Sequence, residues 1–278
     1  MIPRLALIQL PYDSGHLNSR MGRGPSALIA RGLIDELPDH CETEIVEVHL
    51  PRGFHTEASA LVELQRAATF AARGAIARGT RPIFLSGNCG PAALSATAAL
   101  GPEDTGVIWF DAHADFNTPE TSSSGFLDGM ALAILTGQCW PRLAERLEAF
   151  TPVPEQNIIQ IGVRALDPEE RLQLESTRII RIASHEMARL PEALSELNRR
   201  TRRVYVHVDA DVLDISEGSA NSYACDGGLT RATLYQALDL ICNNAEIGAA
   251  SITSYDPGSD SDTRVAQVLN GAFRLLGS

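Results

Sequence analysis

The chain has 278 residues, of which 44% are hydrophobic and 21% charged, and a formal net charge of −12. That length and apolar content can carry one large α/β domain with a sizeable core. The acidic balance argues against nucleic acid, which needs a basic face, and no apolar run reaches the length of a membrane span.

Taken in chain order, short runs rich in Val, Ile and Leu alternate with helical patterns. Strands are predicted at 5–10, 43–48, 82–85, 107–110, 157–161, 178–182, 204–208 and 247–253. Helices are predicted at 25–36, 57–77, 91–100, 127–136, 185–199, 231–242 and 261–276. Pro25 and Pro91 suit the first turn of a helix. The strand runs are continuous in apolar residues rather than alternating, which is the mark of parallel strands covered on both faces. The rhythm predicts right-handed crossovers and one mostly parallel sheet between two helical layers. No linker or repeat divides the chain, so residues 1–278 read as a single domain.

The N-terminus, Met1-Ile2-Pro3-Arg4-Leu5, lacks the layout of a signal peptide. The five cysteines (Cys41, Cys89, Cys139, Cys225, Cys242) are odd in number and widely spaced. A disulfide framework is therefore not expected, and a reducing cytoplasm is.

The chemistry concentrates where strands end. Asp111-Ala112-His113-Ala114-Asp115 follows the run Val107 to Phe110, and alternation along an extended segment would turn Asp111, His113 and Asp115 the same way. Asp209-Ala210-Asp211 follows the run Val204 to Val208. Buried unpaired carboxylates are costly, and a bound cation, or two, removes the cost. The ligand types suit Mn²⁺, Zn²⁺ or Fe²⁺. Their number exceeds what one catalytic Zn²⁺ takes and points to a two-metal site that activates a water. Ser86-Gly87-Asn88-Cys89, Gly162-Val163-Arg164 and Ser254-Tyr255-Asp256-Pro257 also follow predicted strands. The carboxyl ends of parallel strands are where ligands bind, so these clusters are expected to meet at one rim.

Three motifs carry a resemblance: Asp111-Ala-His113-Ala-Asp115-Phe-Asn117, Asp209-Ala-Asp211-Val-Leu-Asp214, and Asp226-Gly227-Gly228-Leu229-Thr230. With Gly22-Arg23-Gly24-Pro25 near the start and Tyr255-Asp256-Pro257 near the end, they resemble the ureohydrolase family of arginases and agmatinases. The resemblance implies a three-layer α/β/α sandwich around an eight-stranded mostly parallel sheet. It implies two Mn²⁺, with Zn²⁺ or Fe²⁺ as alternatives, held by Asp111, His113, Asp115, Asp209 and Asp211. It further implies C–N cleavage of a guanidino-type amino acid by a metal-bridging hydroxide, with Asp115 moving the proton. Asn117 and Ser124 match positions that contact the amino-acid end of the substrate, and Asp167 and Glu170 match those that contact its α-amino group. Local readings stand beside these: Asn117 as a turn residue before Pro119, and Asp167 as the cap of a helix starting at Pro168. Family members often form trimers or hexamers.

Three positions depart from the family pattern. Cys89 stands where the family places a metal-binding His and is expected to ligate in its place, the other reading being an inert buried thiol and a lost metal. A thiolate suits Zn²⁺ or Fe²⁺ better than Mn²⁺. Asp128, in Leu127-Asp128-Gly129-Met130, stands where arginases place a proton-transferring His; it is expected either as an acid or base or as an exposed helix cap. Ser254 stands for a Glu that pairs with the guanidinium, and a neutral hydroxyl cannot make that charge-assisted pair. The Cys-for-His exchange resembles the branch that hydrolyses Nω-hydroxy-L-arginine in D-cycloserine biosynthesis. Arginine or Nω-hydroxy-L-arginine is thus the expected substrate. The alternatives are an agmatinase- or formiminoglutamase-like hydrolase and a non-catalytic metal- or ligand-binding relative.

Overall fold

The computed structural model describes residues 4–38 and 40–278. All eight predicted strands form: β1 (Arg4–Leu10), β2 (Glu42–Glu47), β3 (Arg81–Ser86), β4 (Thr105–Phe110), β5 (Ile158–Ile161), β6 (Ile180–Ile182), β7 (Arg203–Asp209) and β8 (Ile247–Thr253). They make one sheet in the order β2-β1-β3-β8-β7-β4-β5-β6. Every pairing in it is parallel. Alternate residues of each strand face opposite layers. Ile108 and Phe110 join Val204, Val206 and Val208 in the core under α1 (Gly24–Ala30), α7 (Leu190–Asn198), α8 (Arg231–Asn244) and α9 (Arg264–Gly277). Val107, Trp109 and Tyr205 join the opposite core under α2 (Glu57–Ala77), α3 (Cys89–Leu100) and α4 (Ala131–Leu135). This is the three-layer α/β/α sandwich expected.

Helix boundaries differ where local chemistry intervenes. The helix expected over 25–36 ends at Ala30, because Gly32 turns the chain at φ 87° before a short 3₁₀ turn at Ile34–Glu36. The helix expected over 185–199 begins as a 3₁₀ segment, Ser184–Arg189, and becomes α only from Leu190. That over 127–136 likewise opens with a 3₁₀ turn at Asp128–Met130. The short α5 (Pro141–Ala144) was not among the predicted elements, being too brief to show a period, while α6 (Pro168–Glu175) is the helix that Asp167 was read to cap, with Asp167 at its N-cap. A hairpin of two-residue strands, Tyr12–Asp13 with His16–Leu17, was also unmarked by any apolar run.

The sheet order explains the rim. β3, β8, β7, β4 and β5 are consecutive neighbours, although their sequence positions span the chain. The segments that follow them carry Cys89, Ser254, Asp211, Asp111 and Arg164. Register aligns the last rungs: Ser86 pairs with Thr253, Thr253 with Asp209, and Phe110 with Val208. The cysteines are all free, and no described helix is long and apolar enough to cross a membrane.

Phe273 of α9 is fully buried in the first core, whereas Phe70 of α2 is 81% exposed. Phe273→Ala is expected to cost about 3–5 kcal/mol and Phe70→Ala to stay within about 0.5 kcal/mol of the parent, both read from urea unfolding midpoints.

Candidate metal centre and active site

The site is assembled by backbone geometry that the ionisable residues themselves impose. β4 ends at Phe110, so the expected extended alternation through Asp115 does not continue. The Asp111 carboxylate instead accepts the His113 backbone N–H at 2.8 Å, and Asp115 adopts φ 51°. This compact turn still brings His113 and Asp115 to one cavity and keeps Asp111 within ligand distance of His113 beneath it. On β7, Asp209 accepts the Asp211 N–H at 2.9 Å and so folds its own strand end into a 3₁₀ turn.

Two overlapping ligand groups result. Single donor atoms of Asp111, His113 and Asp211 lie within 4.8 Å of one another, and so do those of Cys89, Asp111, His207 and Asp209. Asp111 belongs to both. Its other oxygen accepts the Trp109 indole N–H at 3.0 Å. His113 Nδ1 lies 3.5 Å from oxygens of both Asp111 and Asp211. Asp115 is outside both groups, yet its Oδ2 is buried without a hydrogen-bond partner among the described residues. An orphaned carboxylate oxygen beside three further buried carboxylates is the chemistry a cation site requires. The donor set therefore fits a pair of divalent ions.

Charge is otherwise balanced by protons. Burial raises Asp111 to about 6 and holds Asp115 and Asp209 well above the usual carboxylate range. Burial alone would lower His113, but Asp111 and Asp211 overcome it and push the imidazole up to about 12. Burial likewise opposes ionisation of Asp211, yet the bonded His113 draws it down to about 2.

Cys89 is the first residue of α3. Its thiol donates to Asp209 Oδ2 at 3.0 Å, with Ser254 Oγ at 3.3 Å and Thr253 Oγ1 at 3.4 Å. Burial and the surrounding aspartates raise this thiol well above its ordinary value. Ser254 is buried and holds φ 60°. Asp128 is neither exposed nor the cap of its own helix. It is buried, and it accepts the backbone N–H groups of Cys89 and Gly90 and the Asn88 side-chain N–H, each at 2.9 Å. It thus caps α3 from 39 residues away and seats Cys89. Its three donors keep its oxygens engaged even though burial pushes its pKa to about 7.

The expected substrate residues line the same cavity, about 410 Å³, with Cys89, His113, Asp115, Asp209 and Asp211. Asn117 donates to Asp167 at 3.2 Å. Glu170 is buried and accepts the N–H groups of Phe116 (3.0 Å) and Asp167 (3.2 Å), so it builds the wall rather than facing a ligand freely. Ser123, not Ser124, bonds Asp167, at 2.9 Å, while Ser124 accepts from Phe126 N–H. Two larger clefts, about 650 and 690 Å³, contain no buried ionisable side chain.

Sequence reasoning missed Asn221, Tyr223 and His207, and it placed Arg164 at the rim without its bonds. Asn221 donates to Asp211 at 3.1 Å and to the Ser254 carbonyl at 2.8 Å. Arg164 spends its guanidinium on backbone carbonyls of Gly162, Asp211, Leu213, Cys225 and Asp226, tying the Asp211 turn to the Asp226-Gly227-Gly228 loop. Gly228 is required there because a Cβ would collide with the Asp214 and Val212 backbone. Tyr223 stacks on Phe126 at the mouth, ring centroids 5.8 Å apart. His207 shares the strand parity of Asp209, the one signal among these that period-2 reading could have found.

A three-layer sandwich with polar groups of five adjacent strand ends, aspartates among them, around one cavity defines a class of metal-dependent hydrolases. Residues 3–274 match the model of the arginase family. An arginase from Bacillus caldovelox is 30% identical over 294 aligned positions, which take in 99% of this chain and 97% of that protein. The solved structure of the Bacillus caldovelox arginase superposes with a TM-score of 0.89 at 28% identity, over 100% of this chain and 99% of the other. A crystal structure of the arginase from Bacillus subtilis does so with a TM-score of 0.88 at 25% identity, over 99% of each chain. The chain belongs to the arginase family, and its enzyme class is that of the amidinohydrolases.

The proton balance has a consequence for stability. With metal chelated, the fold keeps protons on Asp111 (about 6) and Asp128 (about 7) that the unfolded chain has already released above about pH 4. The folded state then binds more protons, so stability falls as pH rises. The Tm in excess chelator is expected to drop between about pH 5 and about pH 8. Saturating Mn²⁺, which binds the deprotonated ligands, should cancel or reverse that slope. A Tm that climbs with pH in chelator would contradict the assignment.

Proposed function

We propose that the chain hydrolyses the C–N bond of a guanidino-type amino acid, arginine or Nω-hydroxy-L-arginine, at a pair of divalent ions, Mn²⁺ with Zn²⁺ or Fe²⁺ as alternatives. The observation that carries this is the convergence of two ligand groups sharing Asp111 on a cavity walled by Asn117, Asp167 and Glu170. Asp111, His113, Asp209, Asp211 and Cys89 would hold the ions, which supply an activated water and Lewis-acid stabilisation of the tetrahedral carbon. The cavity volume suits an amino acid of this size.

The protein's own groups do the rest. Asp167, with its carboxylate turned by Asn117 and Ser123, receives the substrate's α-ammonium group. Glu170 fixes the backbone at Phe116 and Asp167, so its part is to hold Asp167 in place. The free Oδ2 of Asp115 accepts the water's proton and hands it towards the leaving amine. Asp128 positions Cys89 through the α3 cap and takes no proton from the substrate. At Ser254 the pocket offers a hydroxyl where a guanidinium would favour a carboxylate. That loss penalises arginine more than the less basic N-hydroxyguanidine, and so favours Nω-hydroxy-L-arginine.

Release of urea from arginine and of hydroxyurea from Nω-hydroxy-L-arginine, by protein loaded with Mn²⁺, tests the activity, with ornithine as the common product. The hydroxylated substrate should show the higher kcat/KM. Absence of turnover with any guanidino or formimino compound, together with fewer than about one metal per chain, would replace this reading with that of a non-catalytic relative. Substrate class is tested separately. Asp167→Ala should raise KM about ten- to a hundredfold for the amino-acid substrates and leave 5-guanidinopentanoate, which lacks the α-ammonium group, nearly unchanged. Equal loss on both would favour a purely structural Asp167.

A further inference from the structure

His207 lies on β7 between Val206 and Val208, at a rung where an apolar residue would pack as well. Its neighbours across the sheet in that rung are Trp109 on β4 and Ser251 on β8. The ring is completely buried and lies flat on the Trp109 indole, centroids 3.8 Å apart and planes 18° apart. Its Nδ1 is 2.9 Å from both the Tyr205 and the Ser251 hydroxyls. Among the described residues its Nε2 has only the Thr253 hydroxyl, at 3.3 Å. That hydroxyl lies in turn 3.4 Å from Cys89 Sγ and 3.5 Å from Asp209 Oδ2. The ring is thus clamped by stacking and through one nitrogen, and its other nitrogen is turned toward the thiol and the carboxylates. A satisfied core histidine would need no such neighbours. Metal-bound imidazoles are ordinarily held this way, with the far ring nitrogen hydrogen-bonded and the near one facing the ion.

We propose that His207 is a direct ligand of the inner ion, so that Cys89, His207, Asp111 and Asp209 form a sulfur, nitrogen and two-oxygen site. The inference rests on the two-metal reading above and deepens it. Cys89 stands where the family pattern has an imidazole, and His207 brings an imidazole back from the neighbouring strand face. The four donor atoms already lie within 4.8 Å of one another. One hydroxyl at Nδ1 accepts the ring proton, which leaves the Nε2 lone pair for the ion. Asp111 then bridges to the outer group of His113 and Asp211. Asp115 is released from ligation for its work with the proton. A thiolate and an imidazole together make the inner position softer than the outer one, so it should prefer Zn²⁺ or Fe²⁺ to Mn²⁺ while the outer position does not.

The test uses the full chain stripped of metal and reloaded with one equivalent of Zn²⁺ or Co²⁺. His113→Asn removes the outer imidazole, so an imidazole found on the ion by X-ray absorption in that variant belongs to His207. One sulfur and one imidazole are expected, with a thiolate-to-Co²⁺ charge-transfer band in the near ultraviolet. His207→Phe keeps the stack on Trp109. It should retain the sulfur band, lose the imidazole and bind the inner ion about tenfold or more weakly. Sulfur without imidazole in His113→Asn overturns the assignment of His207 and leaves the two-metal reading standing. No bound metal and no sulfur band in the wild-type chain overturns both. If His207→Phe fails to fold, the His113→Asn spectrum still decides.

Discussion

Asp111, Asp115, Asp209 and Asp211 crowd the ends of two neighbouring strands with almost no contact with water. Like charges at this spacing cannot all be ionised in a dry interior unless positive charge joins them. The surrounding structure is arranged around that demand. Backbone N–H groups of Ala112, His113 and Asp211, the Trp109 indole and Asn221 each donate to these carboxylates. Without an ion, a protonated His113 and carboxyl protons supply the compensation. In the proposed two-metal reading the same oxygens would become ligands, and that exchange of protons for metal would couple the site to folding.

The sheet makes the crowding available. Between β3 and β4 the chain skips the centre, and β7 and β8 later fill it. The two strands that carry the aspartate pairs thus lie side by side, and the thiol of Cys89, at the start of α3, reaches Asp209 past the end of β8. Arg164 then holds the loops outside the sheet by their carbonyls, so its charge stabilises backbone rather than competing with the metal for aspartates.

The departures from the family pattern are coupled to one another. Asp128 caps α3 and so fixes the position of Cys89; Cys89 touches Ser254; Ser254 is tied through its carbonyl to Asn221, which holds Asp211. A helix cap, a buried thiol and a neutral pocket wall are therefore joined by direct contacts at one end of the cavity.

The sequence alone determined the eight strands, the helical layers and the chemistry of Asp111, His113, Asp115, Asp209 and Asp211, because apolar runs and clustered carboxylates are local signals. It did not reveal that the alternation after Phe110 breaks into a turn, since that turn depends on the Asp111 side chain capturing a backbone N–H. It could not separate a catalytic Asp128 from a capping one, because the helix being capped begins at Cys89, far away in sequence. Only the tertiary structure decided the order of strands, the engagement of Glu170, the bracing by Asn221 and Arg164, and the approach of His207 to Cys89. These depend on which segments the long crossovers bring together, and no local periodicity encodes that.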